Sequence, residues 1–178
     1  LTPSPGVHNV HPTGRLSSEE TVLQLAHKLG IGNASILLRM SRTLKLHAGG
    51  KTIVLRVPNY DRSPLLGRIA KHGLGFESSY GLKALPQLQG VALDIGAHYG
   101  TTGIALATMH ERLRVFAFEP SPITFLFLCL NVLVNGLQGR VIPHNLAFAS
   151  SAESIMLDYA PDDSTSTRLQ AYGHSLPR

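Results

Sequence analysis

Two stretches of this chain hold residues whose types and spacing suit ligand chemistry: Asp94-Ile95-Gly96-Ala97-His98-Tyr99-Gly100 and, downstream, Glu119. The first opens with a carboxylate and closes with a glycine, at the junction of an apolar run (Val91 to Ile95) and an Ala-rich, helix-like segment (Thr101 to Met109). Gly96 and Gly100 permit a tight turn and let backbone approach a ligand closely. A helix starting near Thr101 aims its free N–H groups at the same point. Asp94 and Glu119 each close an apolar run that reads as a strand, and open α/β sheets bind ligands at the carboxyl ends of such strands. A carboxylate about 20 to 25 residues beyond the glycine turn is suited to accept the two hydroxyl hydrogens of an adenosine ribose. Each part alone is weak, since turns use glycine for packing and strand ends often carry a solvated acid. Together, in this strand order, they point to a nucleotide-type cofactor.

The elements that must position these residues are legible to different degrees. Residues 1–16, rich in Pro, Gly and His, read as a flexible lead-in, and 17–89 as an N-terminal helical and strand region. Ser17 with Glu20 forms a capping-box pattern ahead of Val22, Leu23, Leu25, Ala26 and Leu29 at helical spacing, stopped by Gly30. Ala34 to Met40 is a weaker helix, Thr52 to Val57 a strand ended by Pro58, and Ser63 to His72 a short helix. Residues 90–178 are expected to hold a partial Rossmann-like domain. Its strands are Val91 to Ile95, Arg114 to Phe118 and Val141 to Leu146, with a helix from Ser121 (cap) and Pro122 (first position) to Val134, closed by Asn135-Gly136. Ser154 to Tyr159 is one more candidate strand, and the tail after Pro161 is polar. Alternating strands and helices imply parallel βαβ units, so the expected fold class is α/β, a doubly wound parallel sheet of which only the first half is present.

The turn also discriminates between cofactors. A dinucleotide site prefers Gly-x-Gly-x-x-Gly, whose second glycine lets pyrophosphate sit on the helix. Here Ala97-His98-Tyr99 fills that place with bulk, and an acid enters the turn. That suits a cofactor with a cationic amino-acid end and no phosphate, as in S-adenosylmethionine.

These motifs resemble those of the FkbM-type S-adenosylmethionine-dependent methyltransferases. Asp94 to Gly100 is similar to that family's Asp-(Ile/Val)-Gly-Ala-Asn-x-Gly, departing from it at His98, where the family usually has Asn. Phe118-Glu119-Pro120-Ser121-Pro122 resembles its second-strand motif, and Asn131 to Leu137 its Asn-Val-x-x-Asn-Gly-Leu helix end. His144-Asn145-Leu146-Ala147 resembles its third strand, and Gly75-Phe76-Glu77 the aromatic-Glu pair before its core. The resemblance covers about residues 70 to 160. It implies O-methylation of a hydroxyl on a sugar or small metabolite, with S-adenosylmethionine as cofactor. Asp94, Gly96, Ala97, His98, Gly100 and Glu119 are the cofactor-binding candidates. In-line displacement at a sulfonium methyl rests on proximity and orientation, helped by a base where the hydroxyl must lose its proton. No base is assigned: His144, Asp158, Asp162 and Asp163 are candidates, each also readable as a surface acid or core histidine.

The whole chain sets further bounds. With 178 residues, 43% hydrophobic and 15% charged, it reads as one globular domain or slightly more. Its net charge of +5 is scattered, so no nucleic-acid partner is expected. Cys129 is the only cysteine, which excludes an intrachain disulfide, and it reads as a buried thiol. Ile123 to Val134, the longest apolar run, is far short of the ~20 residues of a membrane span. No signal peptide is visible at Leu1 to Pro5, no metal site is expected, and a soluble, cytoplasmic protein is the expectation. The family's Asp-rich fourth strand is not found between Asp158 and Arg178, which would leave Val91 to Ile95 at a sheet edge. The chain therefore reads as a fragment or as one completed by a partner chain. Two other functional readings stay open: a non-catalytic nucleotide-fold interaction module, and a dinucleotide-dependent oxidoreductase.

Overall fold

The computed structural model of the chain describes residues 17–72, 87–148, 156–158, 163–166 and 168–170. Helix α1 (Ser18–Lys28) starts from the expected capping box, in which the Ser17 side chain accepts from Glu20 N–H and the Glu20 carboxylate accepts from Ser17 N–H. Helix α2 (Ala34–Arg39) follows and leads directly into a strand that hydrophobic runs alone do not reveal, β1 (Ser41–Ala48). β1 pairs antiparallel with β2 (Lys51–Pro58) through the two-residue turn Gly49-Gly50, with Ala48 opposite Lys51. Both turn glycines have positive φ, 58° and 74°, the conformation that matches a hairpin's right-handed twist. Leu46, Ala48, Ile53, Leu55 and Val57 are buried. Helix α3 (Pro64–His72) closes the N-terminal region.

The second region is a three-stranded parallel sheet in the order β3-β4-β5, formed by Gly90–Ile95, Leu113–Phe118 and Val141–His144. The expected third strand is thus shorter, ending at His144 instead of Leu146. Its crossovers are helices α4 (Thr101–Met109) and α5 (Pro122–Val134). Right-handed connections in a sheet that grows one strand at a time place both helices on one face. Accordingly Val115 and Ala117 are buried beneath them, whereas Phe116 and Phe118 on the other face are half-buried. This is the first half of a Rossmann-like α/β fold. A short antiparallel pair, β6 (Met156–Asp158) and β7 (Arg168–Gln170), stands apart from that sheet, with a 3₁₀ turn at Ser164–Ser166. β6 lies within the candidate strand Ser154 to Tyr159, and β7 falls in the tail that showed no pattern.

Helix α4 has no exposed residue, and in α5 only Pro122 is exposed among positions 122–132. A helix apolar all round needs cover on several sides. Here the parallel sheet lies on one side and the β1–β2 hairpin on the other, with α1 packed on α5. The hairpin is fastened by two amides. Asn131 Oδ1 accepts from Arg56 N–H (2.7 Å) and its Nδ2 donates to Arg56 O (3.1 Å) and Tyr99 O (2.9 Å). One turn on, Asn135 Oδ1 accepts from Val54 N–H (2.9 Å) and its Nδ2 donates to Val54 O (2.7 Å). Four helical residues rise about 6 Å and two strand residues about 6.6 Å, so amides at i and i+4 meet alternate residues of a strand edge. The helix end therefore acts as a neighbouring strand for β2.

Strand β3 is one edge of the parallel sheet. Among the described residues it pairs with β4 alone, and Val91, Leu93 and Ile95 are 62%, 60% and 57% exposed.

Asn131→Ala should leave Arg56 N–H, Arg56 C=O and Tyr99 C=O without partners, a loss on the order of 3 kcal/mol. Asn131→Asp should cost more, because a buried carboxylate would face two carbonyl oxygens. Urea unfolding measures both, and equal stability of Asn131→Asp and the parent would contradict this account of the amide clamp.

Candidate functional site

Asp94, at the carboxyl end of β3, turns towards α4, where its Oδ2 accepts from Gly103 N–H (2.9 Å). The sequence reading did not single out Gly103, yet a Cβ there would stand 2.8 Å from that oxygen and 3.1 Å from Val115 Cγ1. Gly103 is the reason the carboxylate can lie under the helix. Burial raises the Asp94 pKa above the ordinary carboxylate value, and the Gly103 hydrogen bond offsets part of this.

The two turn glycines do different work. Gly96 has φ of 75°, is exposed, and has nothing within 4 Å of a would-be Cβ, so a ligand can approach its backbone. Gly100 has φ of 84° and is buried, with Leu128 Cδ1 at 2.6 Å and Ile104 Cδ1 at 2.9 Å from a would-be Cβ. Gly100 is a packing glycine at the start of α4. Ala97, 4% exposed, points into the core. Gly96 and Ala97 N–H both donate to Phe118 O, at 3.0 and 2.9 Å, which ties the turn to the end of β4.

Glu119 sits immediately beyond β4 and is 7% exposed. Its Oε2 accepts from His98 N–H and its Oε1 from Ser121 N–H, both at 2.9 Å. Burial raises its pKa, the hydrogen bonds from Ser121 and His98 pull it down, and the nearby Asp94 charge raises it again. Each carboxylate oxygen keeps a lone pair beyond these bonds. Glu119 thus braces the glycine turn, a role the sequence did not suggest, and faces a second acid. Asn145 fixes the segment after it by donating to the Glu119 and Pro120 carbonyls (2.8 and 2.9 Å).

His98 has a positive φ of 54°, a conformation that favours glycine or asparagine. Its Nε2 lies 2.5 Å from Ser164 Oγ. Ser164 Oγ in turn donates to Asp61 Oδ2 (2.5 Å), as does the Tyr99 hydroxyl (2.5 Å). Asp61 is fully buried, and its Oδ1 also accepts from Ser63 N–H (2.8 Å) and Ser164 N–H (3.5 Å). Asp61, Tyr99 and Ser164 were missed by the sequence reading because they lie 38 and 103 positions from Asp61, beyond any local spacing rule. The residue types match an acyl-transfer relay, but the order does not: here the serine hydroxyl gives its proton to the carboxylate and is buried, so it is no nucleophile.

Among the base candidates, His144 stacks on Phe118 (5.0 Å) and Phe116 (5.8 Å) across the open sheet face, with its Nε2 buried and unpartnered among the described residues. Asp163 Oδ1 accepts from Thr165 N–H and Oγ1. Asp158 lies in β6 with its side chain outside the description, and Asp162 and the Gly75-Phe76-Glu77 motif lie outside the described residues. Burial pushes the Cys129 thiol up to about 12, which makes it inert as a nucleophile at neutral pH. No group of three or more His, Cys, Asp or Glu among the described residues is arranged to hold a metal ion.

The glycines give a paired prediction. Gly100→Ala should cost roughly 2–4 kcal/mol through strain and overpacking, whereas Gly96→Ala should cost only the ~1–2 kcal/mol of a left-handed non-glycine residue. Thermal or urea unfolding of both variants reads the difference directly.

Burial lowers the His98 pKa to about 4, against the upward pull of Asp61 and Asp163. A base whose folded pKa lies below its unfolded value of about 6.5 costs stability as the pH falls through the interval between them. Stability should therefore drop by roughly 3 kcal/mol between about pH 6.5 and 4. Asp94 and Glu119, with raised values, act oppositely, adding stability once protonated. His98→Asn keeps a residue tolerant of positive φ and should abolish the acid-side loss, as denaturant midpoints measured across this range will show.

No family model matches the chain, and no curated protein matches it. Among solved structures it is similar to a putative transferase, PH0793, from Pyrococcus horikoshii, with 16% identity over 72% of this chain and 50% of that one (TM-score 0.45). It is similar to StiE O-MT (residues 961–1257), with 20% identity over 53% of this chain and 34% of that one (TM-score 0.41). A third is the S-adenosylmethionine-dependent methyltransferase SibL in its apo form, with 20% identity over 78% of this chain and 38% of that one (TM-score 0.38). The chain spans one third to one half of the length of these three structures.

Proposed function

We propose that residues 90–148 form the S-adenosylmethionine-binding half of a methyltransferase that acts on a hydroxyl of a sugar or small metabolite. The observation that carries this reading is the pair of carboxylates, half-buried Asp94 and buried Glu119, at the adjacent carboxyl ends of β3 and β4. Both are held above the ordinary carboxylate pKa, and Asp94 contributes to the shift at Glu119. Such a pair repels phosphate and favours a ligand that brings hydroxyl donors and positive charge. A dinucleotide brings the opposite charge. The open space over Gly96 admits a ligand to the backbone, and a pyrophosphate cradle is absent where Ala97, His98 and Tyr99 fill the turn.

The residues present fit the cofactor on these grounds. The free lone pairs of Glu119 would accept the ribose hydroxyls, and the Asp94 side of the turn would lie towards the cationic amino-acid end. The bound cofactor supplies an electrophilic methyl on sulfonium. The chain's own contribution is orientation: Glu119 fixes the turn through His98 N–H, and Gly96 sets how closely the ligand sits. The motif resemblance to FkbM-type methyltransferases supports the same assignment and is the ground for hydroxyl acceptors.

Isothermal calorimetry on the chain with S-adenosylmethionine and with NAD tests the reading. Binding of the former and not the latter is expected. Glu119→Ala should weaken binding by roughly 1.5–3 kcal/mol, the scale of hydrogen bonds to a charged group, and Glu111→Ala at the surface should change nothing. Binding of NAD alone, or equal affinity in Glu119→Ala and the parent, would overturn it.

A further inference from the structure

The two edges of the parallel sheet offer different things to a neighbour. In a parallel ladder, alternate residues turn both N–H and C=O to the same side. Gly90 and Gly96 N–H bond to Arg112 O and Phe118 O, so the even residues of β3 face β4, and Val91, Leu93 and Ile95 face outwards. On β5 the carbonyls of Arg140 and His144 accept from Val115 and Glu119 N–H, which leaves Val141 and Pro143 facing outwards. Val141 N–H is already given to Leu137 O (2.9 Å), and Pro143 has none to give. The β5 edge therefore has no outward N–H, one of the ways a sheet edge is blunted. The β3 edge has three, and nothing among the described residues pairs with it. No proline interrupts it, and its one charge, Asp94, turns to Gly103 on the helix face. The same three outward residues carry exposed apolar side chains on the opposite face, in register with Arg114, Phe116 and Phe118 of β4.

We propose that β3 is the contact surface for a second copy of this chain, paired antiparallel about a two-fold axis at Leu93. The outward residues are symmetric about Leu93, so placing Leu93 opposite Leu93 also places Val91 opposite Ile95. Every outward N–H and C=O of both copies then finds a partner in one register. This self-match favours a copy of the chain over an unrelated strand. On the open face a single apolar row runs through Ile142, Phe116 and Leu93 of one copy into Leu93, Phe116 and Ile142 of the other. On the helix face Ala92 meets Asp94. Centring the pair on Asp94 instead would set two carboxylates directly opposite each other, which is repulsive. Centring it on Ala92 would drop Ile95 from the apolar row. Helix α4 packs mainly on β4, and three strand spacings, about 14 Å, part the two β4 strands. That exceeds the roughly 8–10 Å between packed helices, so the helix layers do not collide. Three apolar residues a side are few beside the roughly 800 Å² per partner of a tight complex, so the dimer is weak and concentration-dependent. The blunted β5 edge stops growth at two copies. In this register Gly90 of one copy stands beside Gly96 of the other, and each copy borders the other's glycine turn. The inference does not rest on the S-adenosylmethionine reading.

The test is sedimentation equilibrium of the 178-residue chain from low to high micromolar concentration, where a reversible monomer–dimer equilibrium is expected. Leu93→Lys sets two ammonium groups opposite each other and should shift that equilibrium about tenfold towards monomer. Ile36→Lys, at a comparably exposed apolar position on α2, should leave it unchanged. Disulfide trapping in a Cys129→Ser background reads the register. Residues directly opposite in a hydrogen-bonded pair have Cα atoms about 5.5 Å apart, within reach of a disulfide. Leu93→Cys should cross-link to itself. Val91→Cys and Ile95→Cys should each stay uncrossed alone and cross-link when mixed. The cysteine changes are mild at such exposed positions, so they decide the matter even where Leu93→Lys loses its fold, as circular dichroism will show. A monomer at every concentration, growth beyond two copies, or Ile36→Lys acting like Leu93→Lys overturns the proposal. Cross-linking of Val91→Cys alone, or none by Leu93→Cys, overturns antiparallel pairing at Leu93.

Discussion

Everything in this molecule depends on how the open edge of β2 is satisfied. A hairpin strand carries unpaired N–H and C=O groups, and burying them against a helix normally leaves them without partners. Asn131 and Asn135 supply the missing donors and acceptors from α5 at a spacing that matches the strand. The hairpin can then lie flat on α4 and α5, and those helices can be apolar all round. Asn131 also donates to Tyr99 O, so the same amide that holds the hairpin holds the glycine turn. The N-terminal region and the parallel-sheet region share one hydrophobic core.

The glycine turn is braced from three directions by groups distant in sequence. Glu119 holds the His98 N–H, Asn131 holds the Tyr99 carbonyl, and Asp61 receives the Tyr99 hydroxyl. Burying two carboxylates and an imidazole this close together opposes folding, as the shifts of Asp94, Glu119 and His98 show. Backbone N–H groups offset part of that cost at Gly103, His98 and Ser121. The remainder is a set of desolvated acceptors whose energy improves when donors arrive.

Local grammar was legible in the sequence, and long-range partnership was not. The capping box at Ser17 and Glu20, the Ser121-Pro122 helix start and the stop at Asn135 follow from side chains within a few residues of one another, and each lies where expected. Strand β1 was missed although its signal was present: Leu44, Leu46 and Ala48 alternate with polar residues ahead of Gly-Gly, a hairpin turn pair. Charged and small residues among them kept the run from looking apolar. The glycine turn was legible as a strand-to-helix turn, but the division of labour between Gly96 and Gly100 was not, because it depends on Leu128 and Ile104. Asp61 gave no signal at all. Its partners are brought to it by the fold, and a lone aspartate in a loop before a proline reads as an ordinary turn residue.

The distances along the chain also set an order in time. The bond between His98 N–H and Glu119 closes a loop of 21 residues within one βαβ unit, whereas Ser164 must return across 103 positions to reach Asp61. Loop closure over the longer span is entropically dearer, and contacts that close long loops form after local ones. By that measure the ring of His98 is the costlier of the two to fasten and the turn backbone the cheaper. The same asymmetry governs opening. Ser164 sits in a three-residue 3₁₀ turn and meets the glycine turn through its contacts with His98 and Asp61. Loss of those contacts would leave the bonds of Glu119 and Asn131 to the turn backbone in place and free the His98 ring from Ser164.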